Sequence, residues 1–267
     1  VIPLDLDQQG NYAINKELKD PVLAILQCGN KTMNLYLYPG DNINVDFNAN
    51  NFPNSVKFEG KSAALNTYLF QEQKVFETQL ASISGNSERM NADDFADFAK
   101  NLYKKRKQRF DKYKKKNSVS SHDALFINSN MRYHYASMLF NYEDIQVYIQ
   151  NKNTVDLPKN FYAPIQDLPI SVEGVLPNMN YVDFIHQFLD YQSAKVGNES
   201  MNKIDIAKQY FSGEVLAYIE AKDLATMCQI GKAYEYGQSI RKYLNSNNYL
   251  QYNDVLRTVY NEQKPIQ

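Results

Sequence analysis

The sequence predicts an α+β protein. An N-terminal antiparallel β-sheet or small sandwich of about six strands covers residues 1–61, and an antiparallel multi-helix domain covers 62–267. Three observations lead there. The hydrophobic period changes from two to 3.6 near Gly60, a Pro39-Gly40 turn separates two alternating runs, and every later apolar pattern is helical.

The strands come first in the chain. Ile2–Leu6 and Tyr12–Asn15 flank a polar Asp7–Gly10 turn, and Val22–Cys28 is a near-continuous apolar run that suits a strand covered on both faces. Leu35 and Leu37 alternate with Tyr36, and Ile43, Val45 and Phe47 alternate with Asn44 and Asp46. Pro39 presets φ and Gly40 supplies a positive φ, so a type II turn fits between them. The short Tyr38–Asn42 segment predicts that these two strands form a hairpin with each other. Val56 and Phe58 mark a further strand, which Gly60 interrupts.

Helices follow. Ser62 is a fitting N-cap, and Leu65, Leu69, Phe76, Leu80 and Ile83 share one helical face. Phe95, Phe98, Leu102, Phe110 and Tyr113 mark a helix over about 92–115, whose Asp93 and Asp94 suit its first turn. A third runs from Ala124 to Ile149, with Leu125, Met131, Tyr135, Met138, Phe140 and Ile145 on its apolar side. The prolines at 158, 164, 169 and 177 make 151–178 a connector. Helical patterns resume at Tyr181–Leu189, Ile204–Phe211, Val215–Ile230, Ala233–Leu244 and Tyr249–Tyr260.

Composition narrows the function classes. A net charge of -1 gives the whole chain no electrostatic bias toward nucleic acid or anionic membrane, so neither is expected as a partner. No apolar run is long enough to span a bilayer. The 21 tyrosines read mainly as half-buried positions filled by an amphipathic ring. The first residue is not Met and falls inside an apolar alternation, which is the pattern of a trimmed chain that has lost an export signal.

Candidate chemistry is thin. Cys28 and Cys228 lie far apart, form no C-x-x-C, and read as small buried hydrophobes. His122, His134 and His186 lack the close spacing of metal ligands, and His186 reads as a core or boundary residue. Ser121-His122-Asp123 is a helix start with serine caps, because adjacent side chains diverge too much for a triad. Lys104–Lys116 holds nine basic residues in thirteen, and the simplest reading is a solvated helix face. Asn30-Lys-Thr32 and Asn198-Glu-Ser200 match glycosylation acceptors without further context. No residue is assigned a catalytic, cofactor-binding or metal-ligating role, and no cofactor is expected.

One stretch carries a resemblance. Leu35-Tyr-Leu-Tyr-Pro-Gly-Asp41, Ile43-Asn-Val-Asp-Phe47, Val56-Lys-Phe-Glu-Gly60 and Ala63-Ala-Leu-Asn-Thr-Tyr-Leu69 resemble the N-terminal region of the thioredoxin-like, TlpA-type disulfide reductases of the Gram-negative envelope. Leu168-Pro-Ile170, Tyr181–Phe184, Ala217-Tyr-Ile219 and Tyr243–Tyr260 are similar to that family's helical middle section. The family continues into a thioredoxin domain with C-x-x-C, whereas this sequence stops at Gln267, so no redox residue carries over. The resemblance implies a non-catalytic accessory module of an exported thiol-disulfide oxidoreductase. Its partners would be its own thioredoxin domain and client proteins. Its location would be the periplasm or envelope, with a lipid anchor on a missing N-terminus. The alternative is a stand-alone envelope protein that binds a peptide, glycan or lipid.

Overall fold

The computed structural model describes residues 7–19, 21–152, 154–176, 178–196 and 202–263. The chain divides into two compact units, Val1–Ile83 with Lys112–Asp123, and Ser84–Asp111 with Ala124–Gln267.

The first unit contains the strands. Strand β1 (Val22–Cys28) pairs antiparallel with β2 (Lys31–Leu37), from Val22 opposite Leu37 to Cys28 opposite Lys31. Gly29 and Asn30 form the two-residue loop between them, and Gly29 takes the positive φ that such a tight turn needs. Strand β3 (Ile43–Asp46) pairs with β4 (Lys57–Gly60) in a separate two-stranded ribbon.

This corrects the expected sheet. The described residues hold four strands in two ribbons rather than about six in one sheet or sandwich. Tyr12–Asn15 has no strand, and Ile2–Leu6 lies outside the described residues. The Pro39-Gly40 turn does form, with the Asp41 N–H donating to the Tyr38 carbonyl at 3.1 Å and Gly40 at φ 68°. It joins strands of different ribbons rather than a hairpin. The physical reason lies on β2, whose edge away from β1 is already occupied. Its Tyr36 and Asn34 N–H groups donate to side chains of helix α1 (Ala63–Arg89), Asn66 and Gln73.

Both ribbons pack on α1 through Phe70. Met33 and Leu35 of β2 are buried against it, and Phe52 and Phe58 meet its ring edge-on at 6.0 and 5.9 Å. Strand β1 is half open to solvent: Ile25, Gln27 and Cys28 are exposed, and Val22, Leu23, Ala24 and Leu26 are only partly buried. Tyr36 alternates to the opposite face of β2 from Leu35 and is also fully buried.

The remaining helices are α2 (Ala92–Lys116), α3 (Ser121–Gln150), α4 (Ala163–Gln166), α5 (Met179–Val196), α6 (Lys203–Tyr210), α7 (Gly213–Met227), α8 (Gly237–Ser246) and α9 (Leu250–Gln263). They fall close to where the 3.6 period places them, except that α4 adds a turn inside the proline-rich connector, α7 ends at Met227 rather than Ile230, and α8 begins at Gly237 rather than Ala233. Leu80 and Leu125, which the periodicity assigns to apolar faces, are exposed.

In the second unit α3 is wrapped by its neighbours, with Tyr133, Leu139 and Ala136 among its buried residues. Tyrosine hydroxyls tie irregular backbone to this core. Tyr133 donates to the Pro169 carbonyl at 2.6 Å, and Tyr142 donates to Met90 at 3.0 Å. The Tyr181 hydroxyl donates to Ile170 and accepts the Val172 N–H, each at 2.8 Å. These three tyrosines each place a buried ring in the core and a polar tip on loop backbone. A left-handed Gly231 turns the chain between α7 and α8, and Leu224, Cys228, Ile240, Tyr243 and Leu256 form the core there. Among the described residues, no helix is long and apolar enough to cross a membrane.

Candidate functional site

The first unit holds a cavity of about 310 Å³ beside the Tyr38-Pro39 turn. The turn contributes Tyr38 and Pro39, the start of α1 contributes Lys61, Ser62 and Leu65, and the start of α3 contributes Ser120 and Asp123. Tyr113 of α2 completes the aromatic part of the wall.

Local chemistry places each group. Ser120 caps α3, its hydroxyl accepting the Asp123 N–H at 3.0 Å. That bond satisfies a backbone donor and leaves the Asp123 carboxylate free to face elsewhere. Asn66 and Ser62, one turn apart on α1, are joined by the Asn66 amide donating to the Ser62 carbonyl at 3.1 Å and hydroxyl at 3.2 Å. Tyr38 meets the Tyr36 ring edge-on at 5.1 Å and the His122 ring at 5.8 Å, while Tyr36 and His122 stack at 6.2 Å.

The electrostatics are those of a carboxyl group taken partly out of water. Burial pushes the Asp123 carboxyl above its ordinary range, with the Ser120 bond opposing. The Tyr36 hydroxyl is pushed up by burial and then by the Asp123 charge. Among the described residues, Asp123 Oδ1, Tyr38 Oη and His122 Nδ1 are buried and have no hydrogen-bond partner. Unsatisfied buried polar atoms are costly in a fold, each by about 1–3 kcal/mol; of these three residues Tyr38 and Asp123 belong to the cavity wall and His122 does not.

The residues singled out from sequence distribute differently. His122 and Asp123 belong to this cluster, and Ser121 begins α3. His134 is buried in the second unit, where burial and the nearby Arg106 lower its pKa to about 3. His186 lies half-buried on α5, its pKa lowered by burial first and by Lys222 second. Cys228 is buried, but Cys28 is exposed, contrary to expectation, because it closes β1 at a tight turn. The two cysteines are free thiols.

The basic run also resolves residue by residue. Arg106 points inward and donates to Asn130 Oδ1 at 3.0 Å, and Lys107 pairs with Asp111 at 3.0 Å. Lys114, Lys115 and Lys116 end α2, where the helix dipole favours cations. Asp94 takes part in a cap at the other end, its N–H donating to Asn91 Oδ1 at 2.9 Å.

Sequence reasoning missed Tyr36, Tyr38 and Ser62 as site residues. The available signal was Leu35-Tyr-Leu-Tyr38, in which the second face of the strand carries aromatic phenols where a solvated face would carry charge. Among the described residues, no group of three His, Cys, Asp or Glu side chains is placed to hold a metal ion. The second unit has its own cavity of about 280 Å³, with Lys208, Glu220, Asp223, Lys242 and Tyr243 in its wall. There Lys208 and Glu220 already pair, at 3.5 Å.

No known protein family, curated protein or solved structure matches the chain.

Proposed function

We propose that the chain is a non-catalytic binding module and that its site is the cavity beside the Tyr38-Pro39 turn. The observation that carries this reading is the cavity itself, whose wall sets Ser62, Ser120 and Asp123 among the apolar and aromatic side chains of Pro39, Leu65, Val119 and Tyr113. A cavity of about 310 Å³ falls at the small end of the range for organic ligands, and its mix of apolar walls with a few polar groups suits that use.

The accessory-module reading, within an exported thiol-disulfide oxidoreductase of the envelope, draws on the same place. The resembling stretch 35–69 supplies Tyr38, Pro39, Lys61, Ser62, Ala64 and Leu65 of the cavity wall. In that setting the cavity holds part of a client or a small molecule, and the redox chemistry belongs to a separate domain. A stand-alone envelope binding protein would use the cavity in the same way. The reading frame beyond Gln267 separates the two: an in-frame C-x-x-C domain supports the accessory module, and a stop codon supports the stand-alone protein.

The binding reading itself is tested by amide NMR of the chain against amines, carboxylates, sugars and alcohols. Saturable shifts at Ser62, Ser120 and Asp123 with at least one class are expected. Flat titrations with all of them overturn it. Insulin reduction by the chain with dithiothreitol should proceed at the reagent's own rate, and clear catalysis would contradict the non-catalytic assignment.

A further inference from the structure

The two edges of the β1–β2 ribbon differ. On β2, the N–H groups of Tyr36 and Asn34 donate to side chains of α1 and therefore point away from β1. Opposite them in the ladder stand Leu23 and Ile25. Facing residues of an antiparallel pair either exchange both bonds or both turn their backbone groups outward. Leu23, Ile25 and, by the period of two, Gln27 thus present N–H and C=O groups on the far side of β1. Among the described residues, no backbone group bonds to that edge.

The edge is also unprotected. Edge strands are commonly guarded by a charge, a proline or a bulge. Val22-Leu-Ala-Ile-Leu-Gln-Cys28 has no charged residue and no proline, and its register with β2 runs without a bulge. Ile25, at its middle, is 69% exposed. The open row ends on both sides, because Pro21 has no N–H to offer and Gly29 turns the chain at a φ of 61°.

These limits select the occupant. The outward residues are symmetric about Ile25, so a second β1, antiparallel on a two-fold axis there, sets Leu23 against Gln27 of the second copy and Ile25 against its own equivalent. Each of these pairs exchanges both bonds, and no like charges meet because β1 carries none. One event covers both exposed Ile25 side chains, whereas an unrelated strand covers one. A longer strand finds no further donor at Pro21 and a turn at Gly29.

We propose that two copies of the chain associate edge to edge through β1, antiparallel and centred on Ile25, joining their ribbons into one continuous sheet. This contact is independent of the cavity beside the Tyr38-Pro39 turn. Seven residues a side fall short of the roughly 20–30 of a standard interface, so association is weak, with dimer forming at about 10 μM to 1 mM.

Sedimentation velocity of the chain, with reductant to keep the exposed Cys28 from cross-linking, should show monomer passing to dimer across that range. Ile25→Lys sets two ammonium groups against each other at the axis and should raise Kd at least about tenfold. Ile25→Pro removes an outward N–H without touching a bond to β2 and should raise Kd by a similar factor. Circular dichroism establishes that each variant folds, and Ile25→Lys, at an already exposed side chain, keeps the test open should Ile25→Pro unfold. The register is read by double electron–electron resonance between nitroxides on Cys28, with the buried Cys228 left unlabelled. Cys28 faces Val22 of the second copy in this pairing, so the two Cys28 backbones stand about 20 Å apart at roughly 3.4 Å per residue. A chain that stays monomeric up to about 1 mM overturns the proposal. A dimer that neither folded variant weakens overturns it too, as does a Cys28 separation beyond about 40 Å.

Discussion

The Asn66 carboxamide closes a two-bond ring with the backbone of Tyr36. Its Oδ1 accepts the Tyr36 N–H at 2.7 Å, and its Nδ2 donates to the Tyr36 carbonyl at 3.0 Å. A side chain of α1 thereby does what a neighbouring strand would do, and it is fully buried while doing so. Gln73, two turns further along the helix, extends the imitation more weakly by accepting the Asn34 N–H at 3.4 Å. The edge of β2 is closed by a helix, which removes a template for unwanted strand pairing and leaves β3 to find β4.

Asn66→Ala should therefore cost stability out of proportion to its size. Two buried bonds to Tyr36 are lost and nothing of similar shape replaces them, for about 2–4 kcal/mol. Gln73→Ala, at the longer bond, should cost about 1 kcal/mol or less. Urea denaturation monitored by circular dichroism gives both numbers. Equal costs for the two variants would show that the clasp at Tyr36 carries no special weight.

Gly60 ends β4 at φ 109°, and a Cβ built there falls 2.0 Å from the Asn42 carbonyl oxygen. Because that obstacle is backbone, Gly60→Ala should destabilise by about 3 kcal/mol or more through strain and clash together. Gly40 also has a positive φ, of 68°, but meets no heavy atom within 4 Å. Gly40→Ala should cost about 1–2 kcal/mol, from conformation alone. The ranking of the two midpoints in denaturant is the measurement.

His134 sets a pH dependence. Its pKa is lowered to about 3 in the folded chain, so between that value and about 6.5 the unfolded state binds a proton that the folded state refuses. Stability from this group is present above about pH 6.5 and is lost as pH falls, by about 1.4 kcal/mol per pH unit within the window. The buried carboxyls of Asp123, Asp144 and Asp223 have raised pKa values and act in the opposite sense above their unfolded values. The clean observable is therefore the difference between the wild type and His134→Gln. The gap in unfolding free energy between pH 7 and pH 5 should shrink by about 2 kcal/mol in the variant. An unchanged gap would mean that His134 does not titrate as its burial demands.

Tyr181 accepts one backbone bond and donates another, so Tyr181→Phe should cost about 1–3 kcal/mol while leaving the packed ring in place. Tyr234 is 91% exposed, and Tyr234→Ser should stay within about 0.5 kcal/mol of the wild type. Thermal melts of the two variants test whether tyrosine content in this chain serves the core rather than the surface.

Much of the helical part was legible because its signal is local. The spacing of Phe95, Leu102 and Phe110 and the serine caps before Asp123 are each written within a few residues of where they act. The helix starts and the proline-rich connector follow from the same short-range rules. The Gly29-Asn30 loop was just as local, and reading Val22–Cys28 as doubly covered hid the hairpin that this loop builds.

Strand partnership and the cavity were not legible, and for one reason. Which edge β2 offers to which neighbour depends on Asn66, thirty positions away, reaching the Tyr36 backbone before another strand does. Likewise Asp123 becomes a buried carboxyl beside Tyr38 only once α3 begins near the Pro39-Gly40 turn, since nothing in Ser-His-Asp announces burial. The sequence by itself determined helix positions, turns and caps, because those depend on neighbours along the chain. Only the tertiary structure decided strand pairing and the grouping of unsatisfied polar atoms, because both arise from contacts between distant residues competing for the same backbone edge and the same dry space.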